Sequence, residues 1–204
     1  MECKTVWKST PIRFSKAGKK PENENRKIIY DTLYDREKSM KIWCESFNGF
    51  KKLMEKNNWN NRTLPNNVAI ISICEPNVSD EYHIFNSAEN VINLDFYDIT
   101  DYNLIYAYGN DISEEEIEYA KSIKGLSDEQ AYELFNFIER NLGKDIYVHC
   151  SAGISRSQGV VKFILDCYPD MYTETNPNNP CDYPNIHVTS LLKNCYRKKY
   201  KNIW

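Results

Sequence analysis

The chain has 204 residues and a formal net charge of -3, and 41% of its residues are hydrophobic. This composition predicts one globular domain over residues 1–204, without the excess positive charge that would attract nucleic acid or a membrane surface. No apolar run approaches the roughly 18 residues that a membrane-spanning helix requires, and the N-terminus has no signal-peptide core.

The N-terminal half contains one predicted helix and two predicted strands. Apolar residues at roughly helical spacing predict a helix within 35–56. The run VAIISICEP (68–76) is continuously apolar, which is typical of a strand buried on both faces of a parallel sheet. A second strand is predicted over 91–96. The acidic segment 99–126 follows it and is interpreted as an insertion.

The C-terminal half alternates between helices and one core strand. Ser127 and Gln130 form a predicted capping box that begins a helix, and Gly143 is its predicted C-cap. A strand at 146–149 leads through a loop into a helix over 156–167, and a final helix ends in basic residues. Strands that alternate with helices predict an α/β fold, with a central, mostly parallel sheet flanked by helices.

The cysteines and histidines show no ligand spacing in the sequence. There are seven cysteines, an odd number without a CxxC pair, and three histidines. Without an export signal, reduced thiols in the cytoplasm are favoured over a disulfide framework. The spacing therefore predicts neither a metal site nor another cofactor.

The segment YVHCSAGISRS (147–157) places a cysteine between a strand and a helix. A sulfur at a helix N-terminus beside a cation is favoured as the thiolate, which is the nucleophilic form. The backbone N–H groups from Ser151 to Arg156 can form a nest that binds an anion, and Gly153 permits the turn. Arg156 offers a planar fork for two oxygens of a phosphate. This combination suits attack of sulfur on phosphorus.

The stretch HCSAGISRS resembles the signature H-C-x5-R-S/T of the cysteine-dependent protein tyrosine phosphatase superfamily. Within it, the residues AGISRS resemble those of the dual-specificity branch. Other segments of the chain are similar to segments of the compact bacterial and phage members. They are VAIISICEP, LDFYDIT, SDEQAYELFNFIE and the late helix start at Pro184 and Asn185. The resemblance covers residues 66–200. Residues 1–65 match no motif and are interpreted as an N-terminal extension packed on the same domain.

The resemblance implies a role for each residue of the loop. Cys150 would be the nucleophile that forms a phosphocysteine intermediate, and Arg156 would bind the phosphoryl oxygens. Ser157 would stabilise the departing thiolate, and His149 would orient the loop by hydrogen bonding rather than act as a base. The substrate-binding amides would be those of Ser151, Ala152, Gly153, Ile154, Ser155 and Arg156. No metal is implied.

The resemblance also implies a general acid, an aspartate on a loop after an earlier strand. At the usual spacing from the cysteine the chain has Glu118 instead. In LDFYDIT, however, strand alternation puts Asp98 just past the end of the strand, where a loop can carry it over the cysteine. Asp98 is therefore favoured, while Asp101 and Asp111 in the insertion, or Asp95, or no acid, stay open.

Three functions are compatible with this loop. The favoured function is a cytoplasmic, monomeric enzyme that hydrolyses phosphotyrosine in proteins, with phosphoserine and phosphothreonine as a wider option. An RNA 5′-triphosphatase or a phosphoinositide phosphatase is disfavoured because the variable loop positions are uncharged, although the basic C-terminal helix supports it. A phosphate-binding module without turnover is disfavoured because Cys150 and Arg156 are both intact. A phosphorylated protein is thus the expected partner, with no nucleic acid or membrane.

Overall fold

The computed structural model describes residues 40–99, 124–174 and 182–200. The strands in these ranges are β1 (Met40–Ser46), β2 (Val68–Cys74), β3 (Val91–Asp95), β4 (Asp145–Cys150) and β5 (Tyr172–Glu174). The α-helices are α1 (Phe47–Asn57), α2 (Ser79–Tyr82), α3 (Asp128–Arg140), α4 (Arg156–Cys167) and α5 (Ile186–Tyr200). A 3-10 turn (Pro76–Val78) precedes α2. No helix in the described ranges is long and apolar enough to cross a membrane.

The five described strands form one sheet in the order β3-β2-β4-β1-β5. Each of the four pairings is parallel, so the predicted α/β fold with a parallel sheet is confirmed. Cys150 at the end of β4 pairs with Ser46 of β1, and Cys74 at the end of β2 pairs with Asp95 of β3. The carboxyl ends of the strands thus lie along one edge, where open parallel sheets bind their ligands.

Helices cover both faces of the sheet, which explains why β2 is apolar at nearly every position. All seven residues of β2 are buried. On one face, Phe50 and Met54 of α1 share an apolar cluster with Ile70. On the other face, α3, α4 and α5 bury a larger cluster that includes Ile71 and Ile73. Adjacent residues of β2 therefore serve opposite layers of the core.

The predicted helix over 35–56 is wrong in its first half. Residues 40–46 are β1, which lies between β4 and β5, and α1 begins only at Phe47. Met40, Ile42 and Cys44 are buried in alternation, which is the period of a strand. This part of the predicted N-terminal extension is thus an inner strand of the sheet. Residues 1–39 lie outside the described residues.

Local signals located the later elements well. The capping box is confirmed, since the Ser127 side chain accepts from the Gln130 N–H and the Gln130 side chain accepts from the Ser127 N–H. The predicted C-cap at Gly143 is wrong, because α3 ends earlier and its cap is Asn141, which also bonds back to the last turn. β5 lies between the predicted helix over 156–167 and the final helix, in a stretch where no strand is predicted. Residues 100–123, most of the predicted insertion, lie outside the described residues.

Candidate active site

Cys150 is the last residue of β4 and lies at the carboxyl edge of the sheet. Its sulfur accepts a hydrogen bond from the Gly153 N–H at 3.2 Å and lies 3.2 Å from the Ser157 Oγ. Gly153 has a φ of 73°, and a Cβ there would lie 2.4 Å from the Ser46 nitrogen. Only glycine therefore lets the loop pack this tightly and return a backbone donor to the sulfur.

A second cysteine lies beneath the loop. The buried thiol of Cys44 in β1 donates its one hydrogen to the nearer acceptor, the Ser157 Oγ at 3.3 Å, and the Gly153 carbonyl lies 3.5 Å from the same sulfur. Because the oxygen of Ser157 accepts from Cys44, the hydroxyl hydrogen of Ser157 is available to the sulfur of Cys150. The Cys150 sulfur is thus placed between two donors, a backbone amide and a buried hydroxyl.

Arg156 begins α4 and is buried, with 3% of its surface exposed. Its Nη1 donates to the Phe96 carbonyl at 2.8 Å, and its Nη2 donates to the Glu75 carboxylate and to the Ser151 Oγ, the latter at 3.1 Å. The Nε atom is buried and has no hydrogen-bond partner among the described residues. A buried cation with an unpaired donor fits an anionic ligand, because burial without a partner is costly.

Glu75 contacts both Arg156 and the loop, and no motif in the sequence singles it out. Its Oε1 accepts from Arg156 and its Oε2 accepts from the Ser151 Oγ at 2.9 Å. The ion pair joins a guanidinium that is 3% exposed to a carboxylate that is 29% exposed. The available signal was a carboxylate directly after the apolar run that forms β2. The structure shows that β2 is the neighbour of β4 in the sheet.

Asp98 is held against the loop by two donors. Its Oδ1 accepts from the Ser155 Oγ at 2.6 Å and from the Asn185 Nδ2 at 2.8 Å. Asn185 is itself buried, and its Oδ1 accepts from the Val188 N–H at 3.0 Å at the start of α5. The asparagine that the sequence analysis noted only as a helix start thus connects α5, the loop and the favoured acid.

Asp95, the other candidate acid that the structure describes, is not brought to the cysteine. Asp95 points to a different cluster, where its Oδ1 accepts from Cys74 and lies 2.7 Å from the Nε2 of His83. Asp101 and Asp111 lie outside the described residues. Among the candidates that the structure describes, Asp98 alone contacts the 150–157 loop.

His149 is buried beneath the loop, and its ring stacks on Phe50 at 4.3 Å and lies 5.9 Å from the ring of Phe47. Burial lowers the pKa of His149 to about 3, so the ring is neutral at physiological pH, as expected of a residue that is not a base. Its Nδ1 has no hydrogen-bond partner among the described residues. Aromatic packing against Phe50 and Phe47 holds the ring.

The outer surface of the loop is uncharged. Ala152 is exposed and Ile154 is 49% exposed. Gln158 connects this surface to the segment before α5, because its Nε2 donates to the Gly153 carbonyl and its Oε1 accepts from the Tyr183 N–H. Tyr183 is 73% exposed. Apolar and aromatic side chains are therefore available to a substrate next to the loop.

Comparisons with known protein families, with curated proteins and with solved structures find no match for this chain. The fold and the site define an α/β protein with a cysteine and a buried arginine on one loop at the carboxyl edge of a parallel sheet. The signature and this geometry are what support a functional assignment.

Proposed function

We propose that the protein is a cysteine-dependent phosphatase, similar to the dual-specificity branch, that hydrolyses phosphotyrosine in proteins. Phosphoserine and phosphothreonine are included as further substrates. The observation that carries the proposal is the buried Arg156, whose Nε has no partner among the described residues and whose loop also holds the sulfur of Cys150. A phosphoryl group would supply the oxygens that this guanidinium lacks.

The first step is attack of the Cys150 thiolate on phosphorus. The S–P bond forms as the P–O bond to the substrate breaks, and the departing oxygen takes a proton from Asp98. The Gly153 N–H, which donates to the sulfur, lowers the energy of the thiolate before attack. Arg156 would donate from Nε to one phosphoryl oxygen, and from Nη2 to a second that takes the place of the Ser151 Oγ, while Glu75 and Phe96 fix the plane of the guanidinium.

The second step is attack of water on the phosphocysteine. Asp98, now ionised, accepts a proton from the water, phosphate forms, and the sulfur leaves as a thiolate. The Ser157 hydroxyl, 3.2 Å from the sulfur, donates to the leaving thiolate. Cys44 supports this donation because its thiol donates to the oxygen of Ser157, which leaves the hydroxyl hydrogen directed at the sulfur of Cys150.

Charge distribution supports a phosphoprotein over a polyanion. Two carboxylates, Glu75 and Asp98, flank the loop. The basic residues Arg197, Lys198 and Lys199 are in the last turn of α5, roughly 18 to 21 Å along the helix from its start beside Asp98. A single phosphate is neutralised by Arg156 and the amides, whereas the carboxylates of Glu75 and Asp98 would repel the further phosphates of a triphosphate or an inositol polyphosphate. We therefore do not favour the RNA or phosphoinositide alternative.

The reaction requires a reduced thiol, which is why we propose the cytoplasm as its compartment. A phosphate-binding module without turnover remains the competing class of function. The placement of Ser157 and Gly153 on the sulfur of Cys150 favours an enzyme, because binding of phosphate alone needs no donors on the cysteine. We propose that the enzyme acts as a monomer.

The test is release of phosphate from a generic aryl phosphate, followed by a panel of phosphopeptides, phosphoinositides and RNA 5′-triphosphate at several salt concentrations. We expect turnover that Cys150→Ser abolishes and that Cys195→Ser, a matched control in α5, leaves unchanged. Phosphopeptide binding without turnover would support the binding module instead. Preference for the polyanions, with steep salt dependence, would assign the substrate class differently while keeping the chemistry.

A further inference from the structure

A second group of polar side chains converges next to the loop, at the carboxyl ends of β2 and β3. The Sγ of Cys74 lies 3.3 Å from the Nε2 of His83 and 3.1 Å from the Oδ1 of Asp95. The Nε2 and the Oδ1 are 2.7 Å apart. Three potential metal ligands of three different kinds therefore point their donor atoms at one position.

The partners of His83 hold its ring next to Asp95. The Ser72 Oγ lies 2.8 Å from the Nδ1 of His83 and 3.5 Å from the Tyr82 carbonyl. A hydroxyl can donate to this nitrogen or accept from it, so the Nε2 of His83 can present either a hydrogen or a lone pair to the Asp95 oxygen. With a lone pair on Nε2, the imidazole, the carboxylate and the sulfur of Cys74 all direct acceptor atoms at one position.

We propose that Cys74, His83 and Asp95 bind a zinc ion. A thiolate, an imidazole and a carboxylate form a ligand set that zinc favours. Tetrahedral zinc, with bonds of about 2.0 to 2.3 Å, separates its ligand atoms by roughly 3.4 to 3.6 Å. The three donor atoms therefore need to move apart by less than about 1 Å.

The surroundings match what a zinc site needs. Cys74 is fully buried, the His83 side chain is 12% exposed and that of Asp95 is 41% exposed, so solvent reaches the group at Asp95. Ser72 on the second ring nitrogen of His83 holds the orientation of the ring, as outer partners of metal-bound histidines do.

This site would adjoin the supports of Arg156. Cys74 directly precedes Glu75, and Asp95 directly precedes Phe96. Glu75 and the Phe96 carbonyl are two of the partners that hold the guanidinium. Zinc would thus connect the ends of β2 and β3 at positions one residue away from Glu75 and from Phe96. The proposal itself does not depend on phosphatase activity.

The experiment uses the full chain, freed of metal by dialysis against a chelator and titrated with Co²⁺ as a spectroscopic substitute for zinc. We expect the charge-transfer absorption of a cobalt thiolate and the visible bands of four-coordinate cobalt, saturating at one equivalent and removed by Zn²⁺. Cys74→Ser should lose the charge-transfer band. Asp95→Asn, at a half-exposed position where folding is not at risk, should weaken binding at least about tenfold.

The controls separate this site from the other thiols. Cys150→Ser and Cys195→Ser should keep the full spectrum and stoichiometry. Zinc should raise the melting temperature of the parent and of Cys150→Ser, but not that of Asp95→Asn, because only a ligand that binds the folded state stabilises it. Absence of a thiolate band in the parent, or its loss in Cys150→Ser with retention in Cys74→Ser, would overturn the proposal.

Discussion

Arg156 donates from Nη2 to the carboxylate of Glu75, a residue 81 positions earlier in the chain. The guanidinium is buried, whereas the carboxylate is partly exposed. Glu75 also accepts from Ser151 at the start of the loop. The carboxylate therefore aligns the guanidinium and the loop together, although Glu75 lies far from the loop in the sequence.

Glu75→Ala should reduce kcat/KM by about 10-fold to 100-fold, because a misplaced guanidinium no longer matches the phosphoryl oxygens. Glu75→Gln, which keeps an acceptor oxygen, should lose less. Glu81→Gln, an exposed carboxylate in α2, is the matched control and should behave like the parent. Steady-state kinetics with an aryl phosphate measure the effect, and equal rates for Glu75→Ala and the parent would refute the alignment role.

Arg156→Lys should leave the fold intact and reduce turnover at least about a hundredfold, the scale of losing one transition-state donor. Lysine keeps the charge but loses the planar fork and the fixed contacts to Phe96 and Glu75. Circular dichroism checks the fold and phosphate release checks the rate. Near-normal turnover would mean that two-pronged binding is not what the arginine supplies.

Asp98 can be a general acid, an anchor for the loop, or both, and two substitutions distinguish these roles. Asp98→Asn keeps an oxygen for Ser155 and Asn185 to donate to, but it cannot supply a proton. We expect it to slow an alkyl phosphate by about 10² to 10⁴-fold, to slow a good aryl leaving group much less, and to flatten the basic limb of the pH–rate profile. If Asp98→Asn is fully active and only Asp98→Ala is impaired, Asp98 is an anchor.

Ser157→Ala should slow breakdown of the phosphocysteine more than its formation. The alanine removes the hydroxyl beside the Cys150 sulfur, so the thiolate leaves less readily. Rapid mixing with an aryl phosphate should then show a burst of the aryl alcohol equal to the enzyme concentration, followed by a slow phase. Cys44→Ala removes the thiol that donates to Ser157 and should show a weaker form of the same behaviour. A Ser157→Ala variant without a burst would contradict this role.

His149 should make folding sensitive to acid. Its pKa is about 3 in the folded protein and about 6.5 when unfolded, so the unfolded state binds the extra proton between these values. The stabilisation is fully present above about pH 6.5 and falls by up to about 1.4 kcal/mol per pH unit below it. His149→Phe, which keeps a ring against Phe50, should flatten urea-unfolding stability across this window. Parallel pH curves for the two proteins would contradict the assignment.

The local sequence was sufficient to predict the type and position of the helices and strands that have the strongest sequence patterns. The continuous apolar run of β2, the capping box at Ser127 and the apolar α4 each appear where the pattern places them. The sequence pattern did not distinguish the seven residues of β1 from the helix that follows. Apolar residues two positions apart, followed by Phe47 and Phe50, resemble the spacing of a single longer helix. Only pairing with β4 and β5 selects the strand.

The same division holds for the site. Cys150, Gly153, Arg156 and Ser157 lie close together in the sequence, so the sequence by itself predicts that they share one loop. Glu75, Asp98 and Asn185 act on that loop only because parallel strands bring their carboxyl ends to one edge. The same edge assembles a metal-ligand set from Cys74, His83 and Asp95, whose spacing shows no motif. Contacts within a few residues are set by local backbone geometry, whereas contacts between distant segments depend on strand order and register, which the buried core decides.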